Sequence, residues 1–317
     1  MAFFQNTMRI PIAICIFFTI SGCSKELNYK IPDFEKKLVV NALICPDSFF
    51  CVNVRTTSTI LSSEPSFIEN ALVLLSENGL LLENLEYSKQ GNYISSAHRP
   101  IPGNEYSITV KAKGFNDVTA KDTVPETVFI SRGSRISGNT FDEYGDPHID
   151  YEIFFNDLPK NNYYELFFII QGFPNEFTSK YWVDFMCEPV IPDPVIKADS
   201  ELDLNPFTYI FTDNLFNGQQ FQLKIKFISA VNGGEFLKPF APTPRDHYAI
   251  LRNTSYAYYN YKKYWLRHSY NKQVGNKAEV PFFMPLIGDP VAMYSNIEGG
   301  YGVFAAYNQS YYKFEKN

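Results

Sequence analysis

The chain has 317 residues, 45% of them hydrophobic and 17% aromatic, which is enough to bury a sizeable core and exceeds the usual size of one domain. Its 34 acidic residues outnumber its 28 basic ones, and a net charge of −6 without a basic stripe excludes a typical nucleic-acid-binding protein. After the N-terminus no apolar run approaches the roughly 18 residues that a transmembrane helix needs.

The N-terminal segment 1–22 has the pattern of a cleavable signal peptide. Arg9 is its one basic side chain, and the apolar run 10–20 is about half as long as a membrane-spanning helix. Ile20-Ser21-Gly22-Cys23 then has the form of a lipobox, in which small residues precede the cysteine whose thiol takes the lipid. Several acyl chains on one cysteine anchor a protein stably. We therefore expect lipidation at Cys23 and attachment to a membrane.

Three further cysteines follow, at positions 45, 51 and 187. Cys45 and Cys51 flank a short turn, so they would be able to pair in an oxidising compartment, or both would remain buried free thiols. The sequence leaves these two alternatives open. No spacing of cysteine and histidine suggests zinc.

Segment 23–37 is polar and is typical of a tether, and a run of short apolar stretches with turn signals follows it. Asn78-Gly79 between two apolar runs is a strong β-hairpin signal. The pattern predicts an antiparallel β-sandwich over 38–127. The spacing of Ala71, Val73, Gly91, Tyr93, Pro102, Gly103, Tyr106 and Gly114 resembles the transthyretin-like or carboxypeptidase-regulatory-like sandwich, an immunoglobulin-like architecture. That resemblance implies a structural or adhesive module.

Segment 128–317 is larger and richer in aromatic residues, and it is predicted to be a second β-rich domain. Asn162-Tyr-Tyr-Glu-Leu-Phe-Phe-Ile-Ile170 is a nearly continuous apolar run, which indicates a buried strand, whereas 221–227 alternates as a half-buried strand does. Four prolines within 188–206 predict a long loop. Segment 245–272 contains neither proline nor glycine and predicts the one substantial helix, with Thr254 or Ser255 as an alternative start. The fold class expected is mostly β.

Three segments together resemble a known family. They are Asp157-Leu-Pro-Lys-Asn-Asn-Tyr-Tyr164, Phe211-Thr-Asp-Asn-Leu-Phe-Asn-Gly-Gln219 and Met293-Tyr-Ser-Asn-Ile-Glu-Gly-Gly-Tyr-Gly-Val-Phe304. With the lipobox and the sandwich, they resemble a lipoprotein family of Bacteroidota, the domain-of-unknown-function 4249 family, over 23–317. The resemblance implies a lipid-anchored outer-membrane protein, facing the surface or the periplasm, often encoded beside a TonB-dependent transporter. It implies no catalytic residues.

The predicted helix is unusually aromatic. An exposed aromatic face is a favoured anchor for a ligand or a protein partner, and the candidate residues are Tyr256, Tyr259, Tyr264 and Trp265. The alternative for each ring is ordinary packing of the helix on a sheet.

Three acids in one segment, Asp142, Asp146 and Asp150, are the densest group of hard oxygen ligands and are candidates for Ca²⁺. Their spacing departs from that of an EF-hand, and acidic loops before strands are common solvated turns. We therefore expect no cofactor, with Ca²⁺ as the alternative.

The sequence contains no motif for nucleophilic catalysis, and we expect a protein that is not an enzyme. The leading hypothesis is an outer-membrane-anchored binding or accessory partner of a TonB-dependent nutrient transporter. A surface hydrolase of glycans or peptides, with two facing carboxylates in the larger domain, is the first alternative. A purely structural envelope protein is the second.

Overall fold

The computed structural model describes residues 35–59, 66–141, 147–171, 183–185, 189–191, 193–199, 208–228, 246–276 and 291–315. The chain from Lys36 onward forms one compact unit. Its described strands are β1 (Leu38–Ile44), β2 (Cys51–Thr56), β3 (Leu72–Glu77), β4 (Leu80–Asn84), β5 (Glu86–Tyr87), β6 (Asn92–Ile94), β7 (Glu105–Lys111), β8 (Val118–Thr123), β9 (Ile130–Phe141), β10 (Pro147–Asn156), β11 (Tyr163–Gln171), β12 (Val183–Phe185), β13 (Pro189–Ile191), β14 (Tyr209–Thr212), β15 (Gln220–Ile228), β16 (Asp246–Thr254) and β17 (Tyr301–Lys313). The described helices are α1 (Pro194–Asp199) and α2 (Tyr256–Asn276).

This architecture confirms the predicted mostly β fold with one substantial helix. Neither described helix is both long and apolar enough to cross a membrane.

The strands form one long sheet and two short ones. The long sheet has the order β12-β11-β16-β17-β1-β2-β6-β5, with β14 also paired to β11. The four-stranded sheets have the orders β13-β15-β10-β9 and β4-β3-β7-β8. Strand β17 is antiparallel to β16 but parallel to β1, so it links the two predicted domains within one sheet. The predicted boundary near residue 127 stays a prediction.

The two largest hydrophobic cores of the described residues lie on one face of the long sheet. In β17, Phe304 and Ala306 pack into the core shared with β3 and β7, while Phe314, just after the strand, packs into the core shared with β10 and β15. A fully buried phenylalanine side chain stabilises the fold by about 2 kcal/mol. On the opposite face, Val303 and Ala305 pack against α2. The long sheet is therefore covered by β-sheets on one side and by the helix on part of the other.

Helix α2 begins at Tyr256, and the predicted start at residue 245 is wrong. Residues Asp246–Thr254 form β16 instead, because this segment pairs with β11 on one side and with β17 on the other. The alternative start agrees with the structure, since the Ser255 Oγ accepts a hydrogen bond from the Tyr258 amide at 3.1 Å. This contact satisfies one of the free amides at the helix N-terminus.

The segment predicted as a proline-rich loop, 188–206, contains short regular elements. Pro194 occupies the first position of α1, where a helix needs no amide hydrogen, and Asp193 caps it by accepting from the Val195 amide at 2.9 Å. Pro189 begins β13, at the edge of its sheet, where the missing donor is tolerated. Proline density thus marks element ends here, and the prediction of one continuous loop is wrong.

Two of the three family-like segments meet at one end of β11. The Asp157 carboxylate accepts hydrogen bonds from the Tyr164 hydroxyl and, at 2.7 Å, from the Gly218 amide. The Asp213 carboxylate accepts from the Asn162 amide at 2.7 Å. These buried acids hold the turn after β14 against the start of β11, so the motif residues organise the sheet.

The third family-like segment holds the start of β17. The Asn296 side chain donates to the Phe304 carbonyl at 2.7 Å and accepts from the Phe304 amide at 2.9 Å. It thereby pairs with the strand as a neighbouring backbone would. Gly302, at φ +113°, lies so close to β1 that an added Cβ would stand 2.0 Å from the Val40 carbonyl oxygen. The glycine permits this close approach.

Candidate functional site: the surface around helix α2

A buried ionic network fixes α2 on the long sheet. The Glu165 carboxylate of β11 is fully buried, and its Oε2 accepts from Arg252 Nη1 at 2.8 Å and from the Tyr258 hydroxyl at 2.5 Å. Lys262 Nζ lies 3.1 Å from Oε1. That oxygen has no aligned hydrogen bond, so the contact with Lys262 is an ion pair.

The network follows from sheet register and helix spacing. Glu165 lies opposite Arg252 in β16, and Arg252 lies opposite Gln309 in β17. Tyr258 and Lys262 are four residues apart in α2, so they project from the same side of the helix. Three strands and one helix therefore bring these side chains together.

The two charged partners determine the ionisation of the site. Burial alone raises the pKa of Glu165, but the charges of Lys262 and Arg252 hold that pKa below its usual value. Burial and the nearby Glu165 charge raise the pKa of Tyr258 well above its usual value. At neutral pH the site thus holds one anion, two cations and a neutral phenol.

Aromatic rings surround both cations. The Arg252 guanidinium lies 4.8 Å from the Phe167 ring and 4.5 Å from the Tyr307 ring. Lys262 Nζ lies 5.5 Å from the Trp265 ring. Such contacts attract the cations through the ring quadrupoles and limit their movement.

The predicted aromatic residues do not form one continuous face. Tyr256 is 59% exposed, Trp265 40% and Tyr264 36%. Tyr264 packs with Tyr294 of segment 291–297, with ring centroids 6.3 Å apart, whereas Trp265 borders Lys262. The helix therefore presents two exposed tyrosines, Tyr256 packed with Tyr163 and Tyr264 packed with Tyr294, and a tryptophan beside the ionic network.

Tyr259, the fourth predicted residue, is only 7% exposed and packs with Ile210 and Leu266. Its hydroxyl donates to Asp199 at 2.8 Å, and Lys263 Nζ lies 3.0 Å from the same carboxylate. It faces inward because α1 and β14 pack against that side of α2. Tyr259 thus supports the helix and is not part of its exposed surface.

The predicted calcium ligands are only partly described. Asp142 and Asp146 lie outside the described residues, and Asp150 in β10 lies 3.5 Å from Lys226. Within the described part of the chain, no group of three or more histidine, cysteine or acidic residues is placed to hold a metal.

Cys23, the predicted lipidation site, also lies outside the described residues. Cys45 and Cys51 are free thiols, the first buried and the second exposed. The Cys45 sulfur lies 3.4 Å from the Ser48 hydroxyl. The two cysteines are therefore unbridged in the structure, and the expectation of buried thiols is confirmed for Cys45 but wrong for Cys51.

Sequence reasoning missed Glu165, Arg252 and Lys262. One signal was available, because Glu165 is the only charged residue in the apolar run 162–170. A charge in a buried strand requires a partner, which predicts a cation from elsewhere in the fold. The identity of that partner depends on the register of β16 and on how α2 docks on the sheet, and the sequence reveals neither.

The sheets, the helix and the buried ion network define a mostly β, sandwich-like protein whose one substantial helix is locked onto a long sheet. The chain belongs to the family described as Domain of unknown function (DUF4249), whose model matches residues 24–313. No curated protein matches the chain.

Proposed function

We propose that the protein is an outer-membrane-anchored lipoprotein that acts as a binding partner of a TonB-dependent nutrient transporter. In this proposal Cys23 carries the lipid, and the exposed tyrosines Tyr256 and Tyr264 of α2 contact the partner. The lipobox at 20–23 supports the anchor, and the outer-membrane location is what the family resemblance implies.

The observation that carries the binding role is the exposure of two tyrosines on a rigidly held helix. Tyrosine is enriched at the centres of protein interfaces, because a large ring contributes contact area while its hydroxyl keeps a hydrogen bond. Tyr256 and Tyr264 are both exposed on the same helix, and Tyr264 is braced by Tyr294.

The anchoring of α2 makes such a surface effective. Glu165 holds one side of the helix through Lys262, and Asp199 holds the other through Lys263. A surface that is already ordered loses little conformational entropy when it binds, so more of its contact energy is available as affinity.

An affinity pull-down of the tagged, natively lipidated protein from gently solubilised outer membranes tests this proposal. We expect one TonB-dependent transporter to co-purify in near-equal amount. The double variant Tyr256→Ser/Tyr264→Ser is expected to lose the partner while remaining folded and membrane-bound.

Two matched variants separate the anchor from the surface. Cys23→Ala is expected to release the protein from the membrane, and Tyr301→Ser removes an exposed tyrosine of β17 without changing α2. Recovery of the lipidated wild-type protein alone contradicts the proposal, as does equal recovery of the transporter with the double variant.

A further inference from the structure

The ionic network contains one positive charge more than its own acid balances. Glu165 carries the negative charge, while Arg252 and Lys262 carry two positive ones. Among the described residues no second carboxylate lies within ion-pair distance of either cation. Burying unbalanced charge is costly, so an arrangement of this kind favours an anion from outside.

Both cations also retain unused hydrogen-bond donors. Arg252 donates through Nε to Gln309 at 2.9 Å and through Nη1 to Glu165 and Tyr258. Among the described residues its Nη2 has no acceptor, and the one polar partner of Lys262 Nζ is the Glu165 carboxylate, beside its contacts with the Tyr258 and Trp265 rings. The side chains are 21% and 19% exposed, so an external ligand has access to each.

Aromatic contacts fix the orientation of these donors. Phe167 and Tyr307 lie on either side of Arg252 along the sheet, opposite Ile250 and Thr254 respectively. Because both rings lie within 5 Å of the guanidinium carbon, at 4.8 and 4.5 Å, its planar fork is held in place. An ordered fork binds a carboxylate better than a mobile one does.

We propose that Arg252, Lys262 and Trp265 form a binding site for a carboxylate attached to a flat ring. The carboxylate accepts from the Arg252 fork and the Lys262 ammonium, and the ring stacks on Trp265. Trp265 is suited to this role because it is exposed and borders Lys262, 5.5 Å from its Nζ. This site differs from the Tyr256 and Tyr264 surface, and it does not depend on the proposed transporter.

Benzoate is a suitable probe, with benzamide as its uncharged match at constant ionic strength. The chain has two tryptophans, so Trp182→Phe leaves Trp265 as the sole tryptophan, whose emission is followed with excitation that tyrosine does not absorb. In that background we expect saturable quenching by benzoate and none by benzamide. Lys262→Gln is expected to weaken benzoate binding about tenfold, the effect of losing one hydrogen bond to a charged group.

Lys224→Gln is the control, since Lys224 lies in β15, on the opposite side of the long sheet from α2, and pairs with Glu152 at 3.3 Å. Its affinity for benzoate should equal that of the parent. Arg252→Lys keeps the charge and loses the fork, so it is expected to weaken binding and decides the outcome if Lys262→Gln fails to fold. An unsaturable response, an equal response to benzamide, or unchanged affinity in both variants overturns the proposal.

Discussion

The Glu165 carboxylate and the Lys262 ammonium lie 3.1 Å apart, one in a buried strand and the other in the helix that covers it. Arg252 approaches the same carboxylate from the neighbouring strand, at 2.8 Å. Removing either cation leaves the buried carboxylate with one cation instead of two, which is costly. Removing an exposed ion pair from the surface of a strand costs little. Glu165 therefore ties α2 to two strands of the sheet at one point, beside the second ion pair between Lys263 and Asp199.

Arg252→Leu is expected to lower the free energy of unfolding by about 2 kcal/mol, because Glu165 loses one of its two cations inside the protein. Lys224→Leu is the control, as Lys224 forms an exposed pair with Glu152 at 3.3 Å and should contribute less than about 1 kcal/mol. Urea unfolding measures both. Equal losses in the two variants would show that the buried network does not stabilise the fold.

Asp157→Ala is expected to destabilise the protein by about 2 kcal/mol, since it leaves the buried Tyr164 hydroxyl and the Gly218 amide without their acceptor. In the double variant Asp157→Ala/Tyr164→Phe, one of these donors is absent, so part of the loss should return. A double-mutant cycle from urea unfolding gives the coupling. Strictly additive losses would contradict a direct interaction.

Gly302→Ala is expected to prevent β17 from pairing with β1, because the new Cβ would meet the Val40 carbonyl at 2.0 Å and the residue has φ +113°. The variant should be insoluble or lose more than about 3 kcal/mol of stability. Gly79→Ala is the control: its φ is +82°, but no atom lies within 4 Å of the added Cβ, so about 1 kcal/mol is expected. Similar solubility and unfolding midpoints for both variants would rule out the close approach.

Asp122 is expected to make stability depend on pH. Burial raises its pKa to about 6, from a usual value of 3.8, although its carboxylate accepts from the Ala306 amide at 2.7 Å. The folded chain then binds a proton more tightly than the unfolded chain, so the contribution of Asp122 to stability falls as pH rises from about 4 to about 6.

The measurement is the difference in free energy of unfolding between the wild type and Asp122→Asn, at pH 4 and at pH 7. This difference should favour the wild type by about 2 kcal/mol more at the lower pH. Asp117→Asn, which removes an exposed acid 2.9 Å from Lys111, is the control for the loss of one surface carboxylate. A pH-independent difference for Asp122→Asn contradicts the assignment.

The sequence predicted those elements whose signals are local. Strand β1 follows from a run of β-branched and aliphatic residues, and the hairpin of β3 and β4 follows from Asn78-Gly79, whose residues have φ of +50° and +82°. Strand β16 was mistaken for helix, because it is stabilised by pairing with β11 and β17, which are distant in sequence. Local propensity does not report such pairing.

The candidate site shows the same limit. The aromatic content of α2 was evident, but the direction of each ring depends on how the helix docks, which turned Tyr259 inward and left Tyr256 exposed. The parallel pairing of β1 with β17 joins opposite ends of the described chain. Neither feature has a signal in any short window of sequence.

Site-specific photocrosslinking in intact cells is the sharpest test of the proposal that the exposed tyrosines of α2 contact a transporter. A photoreactive amino acid replaces Tyr256 or Tyr264, and the control replaces Leu80, an exposed residue of β4. We expect a crosslinked adduct with one TonB-dependent transporter from both helix positions and none from position 80. Absence of an adduct from the helix positions, or the same adducts from positions 256, 264 and 80, would contradict the proposed contact.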